Sequence, residues 1–236
     1  MTATRPTRKR GARAEVPVTA EAIVDTAFRL IEERGHEGFS MRSLATEMGV
    51  FPATLYWHVG DRSRLLGLVE ARWLGGIEMP TTENWDDWAR SLARNYRDHA
   101  HRHPNVARLV SVERARNPEN IAIPDAVLRH LDMAGLGNEV IHAYNAILGA
   151  VQGFVVMELA RVIDPSEESV AENERDLRAL DPERFPAVTK HFDEMANRAL
   201  SLRWSAESHR LPDESFEYML DLLLTGIAAR AEGRRR

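Results

Sequence analysis

Apolar residues recur at three- and four-residue steps along almost the whole chain, and no stretch alternates apolar with polar positions as a half-buried strand would. This pattern predicts an all-α protein. In "VTAEAIVDTAFRLIEERG", Thr19 is placed to cap a first helix and Val18 and Ile23 to staple its start. Ile23, Ala27, Leu30 and Ile31 form its buried stripe, and Gly35 ends it. "FSMRSLATEMG" repeats the grammar for a second helix, with Phe39 before the cap Ser40, Leu44 as staple partner, Ala45 and Met48 inward and Gly49 as the stop. Pro52 suits the first turn of a third helix, "PATLYWHV", and Asp61 caps a fourth from Arg62 to about Trp73.

Beyond Trp85 the helices lengthen. "WDDWARSLARNYRDHAHRHP" puts Trp85, Trp88, Leu92, Tyr96, His99 and His103 on one stripe that Pro104 ends. Shorter helices are predicted near 105–116 and 124–134. A long one follows in "NEVIHAYNAILGAVQGFVVMELARVI", with Tyr144, Leu148, Val151, Val155, Leu159 and Val162 in step. Residues 164–183, acidic and proline-containing, read as a mobile loop. "PDESFEYMLDLLLTGIAARAEG" closes the chain with the stripe Phe216, Leu220, Leu223 and Ile227. Within the long helix, Gly149 and Gly153 each cost about 1 kcal/mol relative to alanine, which points to a face where another helix comes very close. Gly149, Gly153, Phe216, Leu220, Leu223 and Ile227 are therefore the expected dimer interface: the two helices carry more apolar surface than one protomer needs.

The third helix has a different character. Leu55 and Val59 lie one turn apart and point inward, leaving Ala53, Thr54, Tyr56 and His58 outside, beside Arg42 and Arg62. Two short helices joined by a glycine-containing turn, the second about eight residues long with a polar outer face, match the helix-turn-helix pattern. Phenol, imidazole and guanidinium on such a face donate hydrogen bonds to phosphates and base edges, and small apolar side chains meet thymine methyls. Trp57 is expected to pack against the first or fourth helix instead.

These residues carry a resemblance. "FSMRSLATEMGV" followed by "TLYWHV", within residues 19–74, resembles the DNA-binding domain of the tetracycline-repressor (TetR) family, and is especially similar to that of the repressor that gives the family its name. The resemblance implies that Arg42 and Thr54 read bases, that Tyr56, His58 and Arg62 hold the DNA backbone, and that Leu44, Leu55 and Val59 form the small domain's core. It further implies a dimer built on the long middle helix and the last helix, and a small-molecule effector in a largely apolar cavity among the middle helices. Phe51, Pro52 and Ala53 depart from the polar residues the namesake uses before this threonine, so no operator sequence transfers. A twofold dimer would place two reading helices about 34–36 Å apart and so read a near-palindrome.

For the effector, the polar residues on otherwise inward stripes are His99, His103, Asn145, Gln152 and Glu158, of which about two are expected to line the cavity, since most buried polar groups are satisfied within the core. The expected organisation is a basic, unstructured arm over 1–17, a helix-turn-helix DNA-binding domain over 18–75 and a helical effector-binding and dimerisation domain over 76–236. Charge supports this division. The 236 residues carry a net charge of −5, but residues 1–75 hold 11 Lys/Arg against 9 Asp/Glu and the remainder 20 against 27. Arg5, Arg8, Lys9, Arg10 and Arg13 make the arm cationic, as a solvated tail or as a strand along DNA phosphates.

Several functions lose support. The chain has no cysteine, hence no disulfide framework or thiolate metal site. With no signal-like leader and no apolar run recognised as spanning, it reads as cytoplasmic, without a membrane partner. His99 and His103 lie one turn apart as a zinc pair would, yet no third ligand stands out, so no metal or other cofactor is predicted. Gly-x-Ser-x-Gly, phosphate-cradling and His-Glu-x-x-His motifs are missing, so no catalytic residue is assigned. The sequence thus predicts a dimeric transcriptional regulator, most simply a repressor, with double-stranded DNA and a small molecule as partners. The alternative is a helical small-molecule-binding or interaction protein that does not act through DNA.

Overall fold

The computed structural model describes residues 18–112, 121–160, 166–204 and 210–234. The basic arm expected over 1–17 lies outside them. All regular structure in the described residues is helical. Four helices build the N-terminal unit: α1 (Ala20–Arg34), α2 (Met41–Glu47), α3 (Pro52–Val59) and α4 (Arg62–Leu74). The caps fall where their side chains predict, with Thr19 accepting from the Ala22 amide at 3.1 Å and Asp61 from the Arg64 amide at 2.8 Å. Ser40 forms a reciprocal capping box with Ser43. Between α2 and α3 the backbone turns through Gly49 at φ 64°, a conformation that a side chain makes costly. Ile23, Leu30, Ile31, Leu44, Leu55, Val59 and Leu65 fill the core of this unit.

The rest of the chain forms α5 (Trp85–Arg102), α6 (Pro104–Val112), α7 (Ala122–Ala134), a single 3₁₀ turn at Gly137–Glu139, α8 (Val140–Glu158), α9 (Glu167–Arg178), the short α10 (Pro186–Lys190) and α11 (Phe192–Met195), and α12 (Asp213–Arg234). Pro104 ends α5 and itself opens α6, as its missing N–H allows. The acidic stretch expected as a mobile loop is instead largely helix. Ser166 caps α9 through the Ser169 amide, and Glu174 pairs with Arg178 at 3.0 Å. Charge on nearly every face had hidden its periodicity. Residues 164 and 165 of that expected loop, and 113–116 of the expected sixth helix, lie outside the described residues.

One further expectation needs correction. The continuous helical stretch Gly137–Glu158 is long and apolar enough to cross a membrane, with a mean hydropathy of 1.5. Here it packs on α5, α6, α7 and α12. Its composition reflects two apolar faces, one turned to the core and one left open.

A single core runs from α1 through the joint at Trp73 and Ile77 into α5, α6 and α8. Glu32 of α1 reaches across that joint and accepts from the Asn105 and Val106 amides at 3.3 and 3.1 Å, satisfying open donors at the start of α6. Deeper inside, Arg97 of α5 grips Glu158 of α8 by two hydrogen bonds of 2.9 and 2.7 Å, donates to the Leu211 carbonyl at 2.8 Å and pairs with Asp213 at the start of α12. Burial raises the Glu158 carboxyl, but hydrogen bonds from His101 and Arg97 outweigh it and bring it down to about 2.

His99 sits in the joint, 4.9 Å from the Trp73 ring and 5.0 Å from His103 between ring centroids. Burial, reinforced by the charges of His103 and Arg102, pushes its imidazole down from 6.5 to about 4. The unfolded chain therefore takes up a proton that the folded chain resists. This contribution to stability is complete above pH 6.5 and is lost as pH falls toward 4. Thermal unfolding followed from pH 7 to pH 4 is expected to show that decline, and His99→Leu to flatten it; an equal decline in the variant would show that other groups set the acid sensitivity.

Candidate DNA-reading face and ligand cavity

Helix α3 has no side-chain cap at Phe51 and buries only Leu55 and Val59. Ala53 and Tyr56 are exposed, Thr54 and His58 are half-buried, and Arg42 of α2 and Arg62 of α4 flank them in the open. All six predicted DNA-contacting residues are thus at least partly open to solvent, four on α3 and one each on α2 and α4. Trp57 contradicts its expected burial against α1 or α4: it is 82% exposed. Its ring meets His58 edge-on at 4.7 Å. The size of the indole suggests burial, but position 57 lies midway between the inward positions 55 and 59, on the opposite side of α3.

The electrostatics of this face are selective. Helix α3 carries no acidic residue, and Glu47, the one acid on α2, is held by Arg29 at 2.8 Å and Arg34 at 3.3 Å. The Arg29 hydrogen bond keeps the Glu47 carboxyl below its ordinary range. Arg42 makes no ion pair among the described residues, so its guanidinium is uncommitted. An unbalanced cation beside a phenol, an indole and an imidazole contributes little to folding and much to binding a polyanion.

The second feature is a cavity of about 70 Å³ between α5, α7 and α8, with Ile77 from the segment after α4 in its wall. Helix α5 contributes Trp85, Trp88, Ala89, Leu92, Ala93 and Tyr96, α7 contributes His130 among aliphatic residues, and α8 contributes Tyr144 and Gln152. Trp88 lies flat against His130, centroids 3.8 Å apart and planes 9° from parallel. Its indole N–H donates to the Pro80 carbonyl at 3.1 Å, and His130 Nδ1 donates to the Ala126 carbonyl at 2.8 Å.

Of the five polar residues expected to orient an effector, only Gln152 lines this cavity. His99 and His103 lie in the joint with the N-terminal unit, where His103 also meets Phe28 at 5.1 Å. Glu158 is consumed by the Arg97 clasp, and Asn145 lies on the open side of α8. The stripe of α5 drifts around the helix, so Trp85 to Tyr96 face the cavity while the two histidines face α1 and α4. His130 and Tyr144 were missed as site residues; an imidazole at helical spacing from Val127 and Ile123 on α7 was the available signal. No group of three or more metal-ligating residues occurs among the described residues.

The expected dimer residues divide. Gly149 and Gly153 are exposed, and a Cβ added at either would meet nothing within 4 Å. Phe216 and Leu220 are instead buried in the core shared with α1, and Ile227 in a second cluster with Leu131 and Leu224, against which Leu223 is partly buried. Helix α12 is apolar on two sides, and the sequence stripe was its inner one. Its open side presents Tyr218 at 67% and Leu222 at 62% exposure, and α8 likewise leaves Ile141 and Val156 exposed.

Fold and sites together define a class: an all-helical protein whose helix-turn-helix reading head is built directly onto a helical body enclosing an apolar cavity. The chain belongs to the TetR family of bacterial regulators. The family described as "Bacterial regulatory proteins, tetR family" matches residues 23–67, and "Tetracyclin repressor-like, C-terminal domain" matches residues 79–231. The class A tetracycline repressor from transposon 1721 of Escherichia coli is 28% identical over 213 residues, covering 88% of this chain and 89% of that one. An HTH-type transcriptional regulator of Saccharopolyspora erythraea is 29% identical over 144 residues, which span 60% of this chain and 61% of that regulator's length. Among solved structures, Streptomyces coelicolor ActR in complex with actinorhodin superposes with a TM-score of 0.74 at 25% identity, covering 92% of this chain and 99% of that one.

The two sides of α3 should respond oppositely to truncation. Leu55→Ala is expected to cost about 2–5 kcal/mol in chemical denaturation. Trp57→Ala is expected to stay within about 0.5 kcal/mol of the parent. A large loss in the second variant would place Trp57 in the fold's support after all.

Proposed function

We propose that the protein is a dimeric transcriptional repressor that grips a palindromic operator with α3 and lets go when a small molecule fills the cavity among α5, α7 and α8. The observation that carries this reading is the uncommitted row Arg42, Thr54, Tyr56, Trp57 and His58, which the fold displays and does not use. Arg42 and Thr54 read base edges, Tyr56, His58 and Arg62 hold phosphates, and Ala53 leaves room for close approach to the groove. The family and the ligand complex of ActR support the effector half of the proposal. The protein works by binding rather than catalysis, in the cytoplasm where the chromosome lies, and needs no cofactor.

Coupling between the sites follows from shared walls. Tyr96 lines the cavity and meets the ring of Trp73, in the last turn of α4, edge-on at 5.4 Å. Ile77, three residues beyond α4, lines the same cavity. A ligand that spreads these walls moves the C-terminal end of α4, whose other end abuts α3. The effector then favours a dimer whose two reading helices no longer match the groove spacing. The dimer is formed by the open sides of α8 and α12, where Gly149 and Gly153 admit a neighbouring helix closely and Tyr218 and Leu222 supply apolar contact.

Selection of bound fragments from genomic DNA at two salt concentrations should recover a near-palindrome with a steep salt dependence. On that site Arg42→Ala should cost about 1–3 kcal/mol and relax one base position, and Arg62→Ala should lower the salt slope by about 1. Binding that is indifferent to sequence and to both substitutions would favour the ligand-binding alternative. In sedimentation, the parent should be a dimer and Tyr218→Glu combined with Leu222→Glu a folded monomer with weak operator binding; a dimer that survives the pair would move the interface elsewhere.

A further inference from the structure

We propose that Phe51, which stands immediately before α3, reads the C5-methyl group of a thymine in each operator half-site, with Pro52 and Ala53 completing the apolar contact. This rests on reading α3 as the helix that enters the groove. It gives that helix a further specificity-determining residue and places a chemical requirement on the DNA.

Phe51 serves neither as cap nor as core. It occupies the N-cap position of α3, where Ser, Thr, Asp or Asn would satisfy an amide of the first turn, and it makes no side-chain cap hydrogen bond. The residues placed to form the hydrophobic staple at this helix start are Val50 and Leu55, and both pack in the core of the N-terminal unit. Phe51 is 71% exposed. A phenyl ring here forgoes a cap and stays in water, so folding alone would favour a polar residue. Nor does it stand alone: Pro52 and Ala53 are open to solvent as well. Three successive exposed apolar residues at the leading end of a helix work against solubility unless they meet something.

The chemistry of the groove says what they meet. A helix lying in the major groove touches base edges chiefly with its N-terminal residues. Residues 51–53 have no side-chain donor or acceptor, and Pro52 has no amide N–H either. Hydrogen-bonding readout therefore begins only at Thr54. Adenine, guanine and cytosine are told apart in that groove by hydrogen-bonding groups, which these three side chains cannot answer. Thymine alone also presents a methyl group, the natural contact for a phenyl ring and an alanine methyl. Helix α3 has no acidic residue to hold the phosphates away while that contact forms.

Uracil tests this directly, since it pairs as thymine does and lacks only the methyl. In the palindrome recovered by genomic selection, thymines are replaced by deoxyuridine one position at a time, symmetrically in both half-sites. Binding of the full-length protein is followed by fluorescence anisotropy. For the parent, one such replacement is expected to weaken binding about tenfold, as loss of one buried methyl group per half-site requires. In Phe51→Ser the same replacement is expected to cost less than about twofold, and the unmodified operator to bind about tenfold more weakly than to the parent. The serine can cap α3, so the melting temperature should stay level or rise. No methyl-sensitive position in the parent, an undiminished penalty in Phe51→Ser, or a lower melting temperature in that variant would overturn the proposal. Failure of the regulator reading looks different: selection with the parent then recovers no palindrome at all, and this proposal falls with it.

Discussion

The structure depends on the burial of Trp73. This residue ends the last helix of the reading head, yet it is completely enclosed, with Tyr96 edge-on at 5.4 Å and His99 at 4.9 Å, both from the first long helix of the body. The packing leaves no slack: a Cβ on Gly76 would stand 2.6 Å from the His99 ring. Glu32 closes the other side by holding the start of α6. The reading head is therefore joined to the body by a packed core rather than by a linker, and close-packed cores pass on displacement instead of absorbing it. A flexible connection could carry the same two sites but could not make one answer to the other.

From that joint the rest of the architecture takes its meaning. The cavity lies on the far side of Tyr96 and Ile77, so an occupant would press on the wall that fixes α4. The Arg97–Glu158 clasp pins α5 to α8 and to the start of α12, which makes α5 a fixed post instead of a drifting helix. Its cost in desolvation is met by six hydrogen bonds to the two groups. Carrying a regulator from mostly bound to mostly released takes about 5 kcal/mol of difference in ligand affinity between the two states. Apolar burial in an enclosed aromatic cavity is a source of that size.

The reading head was legible in the sequence because local chemistry decides it. Thr19, Ser40 and Asp61 cap where they stand, Gly49 turns where only glycine turns easily, and the inward pair Leu55 and Val59 follows from helix geometry alone. Trp57 was misplaced because its size suggests burial, whereas its register on α3 puts it outside. The body was harder. Its helices are apolar on more than one side, so periodicity could not say which stripe of α12 faces the protomer and which faces away. Phe216 and Tyr218 differ in fate by two positions. The effector residues were least legible, since a polar residue on an inward stripe can serve a clasp, as Glu158 does, a joint, as His99 does, or a cavity, as Gln152 does. Only the packing of several helices distinguishes these uses.

Because the chain has no cysteine, one can be introduced to carry a single spin label per protomer. Ser63→Cys, exposed at the start of α4, would report the separation of the two reading heads by pulsed electron resonance in the free dimer, on operator DNA and with a small aromatic molecule bound in the cavity. Coupling through the Trp73 joint predicts one narrow distance on DNA and a distinct, shifted distance when the cavity is filled. An identical distribution with the cavity demonstrably occupied would contradict it.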